Sequence, residues 1–385
     1  MKKLKWGLIG GGEGSQIGGT HRIAAGLEGQ FELAAAALDI DPARGRDFAI
    51  RLGLPEDRAY GDWRQMLAGE SRRADRIDLV TVATPNSTHH EIAKAFLTAG
   101  FDVLCEKPLT TTVGDAEDIV ATARDAGRVC AVNFGYSGYA LVRHARAMVA
   151  RGDLGRIRVV VAEFAYGHHA DAADADNPRV RWRYDPKLAG ISSVVADAGI
   201  HALHMACFVT GLNVETLSAD FASTVAGRAL EDDALVAFRM TGGTVGRLWA
   251  SAVAIGRMHG LTLQVYGEKG GLRWGQEQPN QLYFTPLREP TRTIERGVAG
   301  LSPEADRASR VTVGHAEGFF GAFGNIYADL AEVLRARRDG RPPDPRALSY
   351  PTAEDGLASV AAVEAAVRSA KAKGAWVDAR PPGRR

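Results

Sequence analysis

Trp6-Gly7-Leu8-Ile9-Gly10-Gly11-Gly12-Glu13-Gly14-Ser15 carries a short apolar run straight into a glycine-rich turn. From Gly10 it fits G-x-G-x-x-G with Ser15 in the third place, and a helical pattern follows near 20–27. A strand, a glycine turn and a helix in that order let backbone approach a pyrophosphate while helix amides face its charge. Gly10, Gly12 and Ser15 are therefore candidate cofactor contacts. Ile17 joins them, because Ile17-Gly18 resumes the pattern after what reads as an insertion.

Outward from this turn, apolar runs of strand length recur at Phe31 to Leu38, Ile77 to Ala83, Val103 to Cys105 and Val129 to Phe134. Amphipathic stretches at Pro42 to Leu52, Trp63 to Leu67, His89 to Ala99 and Val113 to Ala126 separate them. That βαβ rhythm, with strands apolar on both faces, predicts an α/β fold with a doubly wound parallel sheet. After Tyr136 the rhythm changes: runs at 157–166, 215–225, 234–240, 245–253 and 261–266 are divided by turn residues rather than helices. They predict an α+β second domain with a mostly antiparallel sheet. The expected division is 1–134 for dinucleotide binding and 135–385 for substrate binding and assembly, with a closing helix at about 352–373 packing back on the first domain.

A chain of 385 residues has room for two cores. Lys+Arg 47 against Asp+Glu 46 leaves no basic excess for a nucleic-acid backbone. The basic start breaks into glycines too early for a signal or membrane segment, so a cytoplasmic location is expected. The 3 cysteines, Cys105, Cys130 and Cys207, lie far apart in apolar settings and read as reduced buried thiols. His168-His169 with Asp171 has no third ligand at supporting spacing, so no metal site is expected.

Asp39 closes the second apolar run, where a carboxylate accepts hydrogen bonds from an adenosine ribose and repels a 2′-phosphate; NAD is the expected cofactor, with NADP open because Arg44 is near. Asp41 reads as the cap of the helix that starts at Pro42. At the end of the Ile77 to Ala83 run, Thr84, Pro85, Asn86 and His89 form a polar turn at the sheet edge where ligands bind in such folds.

Cys105-Glu106-Lys107-Pro108-Leu109, directly after a strand run, resembles the E-K-P signature of the Gfo/Idh/MocA family. Thr84-Pro85-Asn86, His89, Asp197-Ala198-Gly199-Ile200-His201, Asp355-Gly356, Ser369-Ala370 and Trp376-Val377 agree with it, so the resemblance spans nearly the whole chain. Ile17-Gly18 and His21-Arg22 are similar to members acting on glycosides or inositols. The resemblance implies a Rossmann domain, a second domain whose open sheet makes a homodimer or homotetramer, and hydride exchange between a sugar, glycoside or inositol hydroxyl and a nicotinamide. It also implies Lys107, Asp197 and His201 as the catalytic set, with Glu106 and Lys107 at the cofactor.

The chemistry itself asks for a group that takes the hydroxyl proton while the carbon-bound hydrogen leaves. Lys107, at a strand end and partly desolvated, suits that role, and Pro108 shapes its turn. Asp197 and His201 are four apart and share a face if the segment is helical. Gly135 and Gly190-Ile191-Ser192-Ser193 depart from common family patterns, leaving Tyr136 or Tyr139 to replace a polar contact. Trp182, Arg183 and His315 are candidate substrate contacts, with Glu317 and Asn325 beside them. Two other readings stay open: a glycoside hydrolase that uses bound NAD transiently, and a dinucleotide-binding sensor without turnover.

Overall fold

The computed structural model describes residues 2–383, with all side chains in that span except those of 175, 176, 178 and 179. Two compact units form: Met1–Thr110, Gly114–Gly138 and Phe319–Gly356 in the first; Thr111–Val113, Tyr139–Gly318 and Leu357–Arg385 in the second.

The first unit alternates strand and helix: β1 (Leu4–Gly10), α1 (Gln16–Gly26), β2 (Phe31–Ala37), α2 (Pro42–Arg51), α3 (Trp63–Glu70), β3 (Leu79–Ala83), α4 (His89–Thr98), β4 (Asp102–Cys105), α5 (Val113–Asp125) and β5 (Cys130–Val132). The strands make a parallel sheet of order β2-β1-β3-β4-β5. β3 and β4 are buried along their whole length, which is why their runs are continuously apolar.

α1 begins at Gln16, earlier than the pattern near 20–27 indicates, so Ile17 lies in its first turn and there is no inserted loop. The Ser15 hydroxyl accepts from Gly18 N at 3.1 Å and caps the helix. Gly18 and Gly19 are poor helix formers and hide this start in the sequence. Gly18 is there for clearance, since a Cβ would lie 2.1 Å from Gly11 O.

The second unit runs through α6 (Ala140–Ala150), β6 (Ile157–Ala165), α7 (Pro178–Arg181), α8 (Pro186–Ala189), α9 (Ile200–Thr210), β7 (Val214–Ala222), β8 (Asp233–Met240), β9 (Thr244–Ser251), β10 (Gly260–Gly267), β11 (Gly270–Gly275), β12 (Gln281–Pro286), β13 (Arg292–Glu295) and α10 (Pro303–Arg307). Its sheet order is β13-β12-β11-β10-β6-β9-β8-β7-β14, where β14 is Val377–Asp378. Every pairing is antiparallel except β6 with β9. β11 to β14 are short, glycine-rich or half-exposed, and leave no clear alternation in the sequence.

Two long helices close the chain, α11 (Phe319–Arg338) and α12 (Ala353–Lys371). Phe323, Ile326, Tyr327, Leu330, Ala331 and Leu334 of α11 share one core with Leu4, Trp6, Leu8, Ala24, Ala25 and Phe31. Residues 319–356 thus belong to the first unit, whereas the sequence division at 134/135 put them in the second. Helical periodicity shows that α11 has an apolar face but not which core receives it. The helix expected to return to the first domain, α12, joins the second unit from Leu357.

Leu330 is fully buried in that core. Leu330→Ala should cost about 2–5 kcal/mol of stability. A urea unfolding midpoint equal to that of the unchanged protein would show that α11 does not carry the core.

Candidate active site

In sheet order, the carboxyl ends of β2, β1, β3, β4 and β5 present Asp39, Gly10, Thr84, Lys107 and Asn133 along one edge. The strand order reverses beside β1, the usual ligand position in such sheets. Gly10 and Gly11 take φ of 76° and 65°, a region that disfavours side chains. A Cβ on Gly12 would sit 2.7 Å from Leu38 O and 3.3 Å from Asp39 Oδ2. The turn therefore keeps open backbone beside Asp39 and the start of α1, which fits a dinucleotide's pyrophosphate and adenosine ribose.

Asp39 accepts from Arg44 Nε at 2.8 Å, Arg44 Nη2 at 2.6 Å and Asp41 N at 2.9 Å. The Arg44 hydrogen bond holds its carboxyl below the ordinary carboxylate range. Asp41 caps α2 through Ala43 N and Arg44 N. Thr84, Pro85 and Asn86 form the turn above β3, and the Thr88 hydroxyl donates to Pro85 O and lies 2.7 Å from Thr84 Oγ1. His89 stands apart from its expected place at a ligand. It is fully buried, with Nε2 2.9 Å from Thr84 O and Nδ1 2.8 Å from Pro108 O, so its ring ties two loops together.

Lys107 is the one half-exposed residue in the otherwise buried run 101–110. Its peptide bond to Pro108 is cis. Glu106 is buried and turned inward: Oε1 lies 2.9 Å from His21 Nε2 and accepts from Asn133 Nδ2, while Oε2 accepts from Lys107 N at 3.1 Å. Burial pushes the Glu106 carboxyl up, but His21, Asn133 and Lys107 outweigh it and bring the group below its ordinary value. Sequence reasoning noted His21 only as part of a motif, and missed Asn133 and Tyr327, whose hydroxyl is 2.9 Å from His21 Nδ1. Their signal was faint: polar residues in apolar surroundings, such as Thr81 within the buried β3.

The second unit brings another group together. Asp197 lies in a π-helical turn, Val195–Gly199, that runs into α9. Single π turns often mark functional sites. Asp197 and His201 are half-exposed in a stretch otherwise mostly buried from Ser192 to Met205. Glu231 fixes the start of that turn, accepting from Ser192 Oγ at 2.5 Å, Ser193 N at 2.8 Å and Val195 N at 3.2 Å. This contact gives the unusual Ser192-Ser193 pair a purpose, since the carboxylate faces a helix N-terminus.

Arg183 Nε and the Tyr166 hydroxyl each lie 3.5 Å from Asp197 Oδ2, and the Arg183 guanidinium sits 4.5 Å over the Trp182 ring. Phe164 packs 6.0 Å from the His201 ring, and Tyr166 stacks with His168 and His259. Trp182, Arg183, Asp197 and His201 are thus held in one aromatic and polar neighbourhood, to which Tyr166 and His259 add members the sequence did not reveal. His315 is exposed, contacting Thr312 Oγ1 at 3.1 Å, in a loop clasped by Arg296 and Glu317. Tyr136 is buried against Phe319, and Tyr139 against Trp274, where burial pushes its phenol up to about 12. Asn325 donates to Gly138 O at 2.8 Å from inside the first unit.

Comparison with known proteins agrees with both halves. Residues 4–134 match the model of an oxidoreductase family with an NAD-binding Rossmann fold, and residues 142–273 match the GFO/IDH/MocA C-terminal domain. The chain is similar to an inositol dehydrogenase homologue of Azotobacter vinelandii, solved with NADH and myo-inositol: TM-score 0.90, 40% identity, 98% of each chain covered. It is 36% identical to the uncharacterized oxidoreductase YfiI of Bacillus subtilis over 98% of this chain and 97% of that one. It is 26% identical to levoglucosan dehydrogenase of Pseudarthrobacter phenanthrenivorans over 98% of each.

Gly18→Ala tests the glycine turn, because the added Cβ must displace Gly11 O. NAD affinity should fall about tenfold or more, ~1.4 kcal/mol at the least. Unchanged affinity in calorimetric titration would remove Gly11 and Gly18 from the cofactor cradle.

Proposed function

The chain belongs to the Gfo/Idh/MocA family of NAD-binding oxidoreductases, and we propose that it exchanges a hydride between a secondary ring hydroxyl of a sugar, glycoside or inositol and NAD. One observation carries this reading: Lys107 is the one half-exposed residue of a buried segment at the carboxyl edge of the parallel sheet, with its backbone secured by Glu106. Bound NAD supplies the acceptor for the hydrogen on carbon. Gly10, Gly12, Ser15 and Ile17 would hold its pyrophosphate side, Asp39 its adenosine ribose, and Thr84, Pro85, Asn86, Glu106 and Lys107 the nicotinamide side.

Lys107 Nζ is proposed to take the hydroxyl proton during oxidation and return it during reduction. Asp197 and His201 are the remaining catalytic residues, with His201 sharing the proton and Asp197, oriented by Arg183 and Tyr166, holding the substrate. The directed donors and acceptors of Asp197, His201 and Arg183, next to the Trp182 and Tyr166 rings, suit a ligand with many hydroxyls. A small alcohol would leave such groups unpaired at about 1–3 kcal/mol each. Tyr136 and His315 are weaker candidates for substrate contact, one buried and the other in its own clasped loop. The relatives solved or named with myo-inositol and levoglucosan support the same class.

Among the described residues no helix is long and apolar enough to cross a membrane. We place the enzyme in the cytoplasm, beside the nicotinamide pool, as a homodimer or homotetramer joined through the second unit's sheet.

Lys107→Ala should lower kcat by about two to four orders of magnitude while leaving NAD binding nearly unchanged. Near-normal turnover in the folded variant would sink the assignment. The unmodified protein, assayed with sugars, glycosides and inositols, should show a higher kcat/KM with NAD than with NADP, because a 2′-phosphate meets the Asp39 carboxylate. Preference for NADP, or for lactate or ethanol over every ring substrate, would contradict the reading.

A further inference from the structure

A chain of buried hydrogen bonds crosses the first unit and ends on Glu106. Trp6 Nε1 donates to Thr81 Oγ1 at 2.8 Å, Thr81 Oγ1 lies 2.9 Å from the Tyr327 hydroxyl, and that hydroxyl lies 2.9 Å from His21 Nδ1. His21 Nε2 then lies 2.9 Å from Glu106 Oε1. All five side chains of this run, from Trp6 to Glu106, are buried.

The two ends set the direction. An indole N–H only donates and an ionised carboxylate only accepts. With Trp6 donating to Thr81, each hydrogen finds an acceptor when Thr81 donates to Tyr327, Tyr327 to His21 Nδ1 and His21 Nε2 to Glu106. In the reverse order Thr81 would accept twice and its own proton would have no acceptor among the described hydrogen bonds. The forward order makes His21 a neutral imidazole protonated on Nε2. Burial raises the Tyr327 phenol, in keeping with a hydroxyl that donates.

We propose that His21 is a positioning residue for Lys107: set in its Nε2–H form by the Trp6–Thr81–Tyr327 chain, it clamps the Glu106 carboxylate, which in turn holds the Lys107 backbone through Lys107 N. The inference rests on the reading of Lys107 as the proton-transfer group. The clamp draws on four elements, because His21 comes from α1, Thr81 from β3, Tyr327 from α11 and Trp6 from β1. Asn133 completes it from beyond β5 by donating to the same Glu106 oxygen as His21. With the clamp loosened, Glu106 keeps Asn133 but loses its second direction, and the turn that presents Lys107 drifts. A misplacement of about 1 Å at a reacting group costs on the order of a hundredfold in rate.

The test uses the full chain with NAD and the polyol it oxidises best. His21→Leu removes the donor to Glu106, whereas His21→Gln offers an amide N–H in place of Nε2–H. We expect kcat to fall about tenfold or more in His21→Leu, with KM for the polyol and Kd for NAD moving less than about threefold, and His21→Gln to recover most of that loss. Undiminished kcat in His21→Leu, or equal loss in both variants, overturns the proposal. Nitrogen-15 NMR of histidine-labelled protein at neutral pH gives a second reading that needs neither turnover nor a variant that folds. A neutral ring protonated on Nε2 supports the clamp; protonation on both nitrogens, or on Nδ1 alone, overturns it. Lack of turnover on every polyol would count against the proposed function, and the imidazole signal would still decide for His21.

Discussion

Burying a carboxylate at the end of β4 obliges the fold to supply donors to it, because an uncompensated charge in that setting would cost several kcal/mol. Glu106 meets the requirement with His21, Asn133 and the amide of Lys107. Those donors come from α1, the end of β5 and the chain's own next residue. Tyr327 adds α11, the helix from late in the sequence whose apolar face shares the first unit's core. The charge is thus a point of agreement among segments distant in sequence, and Lys107 is adjacent to it. A lysine on a flexible stem has little positional memory of its own; the restraint lies in the residue before it.

The second unit repeats the device with different parts. Glu231, entering β8, accepts from Ser192, Ser193 and Val195 and so fixes the first turn of the segment that carries Asp197 and His201. Next to it, Asp232 accepts from Thr224 N, Thr224 Oγ1 and Val225 N and pairs with Arg228, whose guanidinium lies 4.1 Å over Tyr184. The helix start and the Trp182–Tyr184 turn are thereby anchored to one pair of neighbouring acids. In both units the residues proposed to act on substrate are half-exposed, and buried carboxylates set the backbone beneath them.

The parallel sheet was legible because β3 and β4 are apolar without interruption and glycines follow β1. The roles proposed for Lys107, Asp197 and His201 rest chiefly on a resemblance, since neither spacing nor composition distinguishes a working lysine from one in a surface turn. Three features were hidden for physical reasons. α1 begins among glycines that local propensity counts against, while their small size is a tertiary need. The π turn at Asp197 closes i→i+5 bonds over a single turn, too short a departure for side-chain periodicity to reveal, so the sequence reads it as α-helix. His89 sits in a polar turn and invites a ligand role, yet the ring is buried with both nitrogens within hydrogen-bond distance of carbonyl oxygens inside the protein.

Asp39 is oriented by its donors in the same way. Each carboxylate oxygen has about two places for a donor. In Asp39, Oδ1 accepts from Asp41 N and Arg44 Nη2, and Oδ2 accepts from Arg44 Nε. Oδ2 is also the oxygen facing Gly12, where a Cβ would come within 3.3 Å. Oδ2 thus borders the glycine turn, the place proposed for the ribose of a dinucleotide. Arg44 is mostly exposed, and such an ion pair adds little to stability. Its consequence is orientation: bonding both oxygens of Asp39, Arg44 holds the carboxylate with Oδ2 beside Gly12.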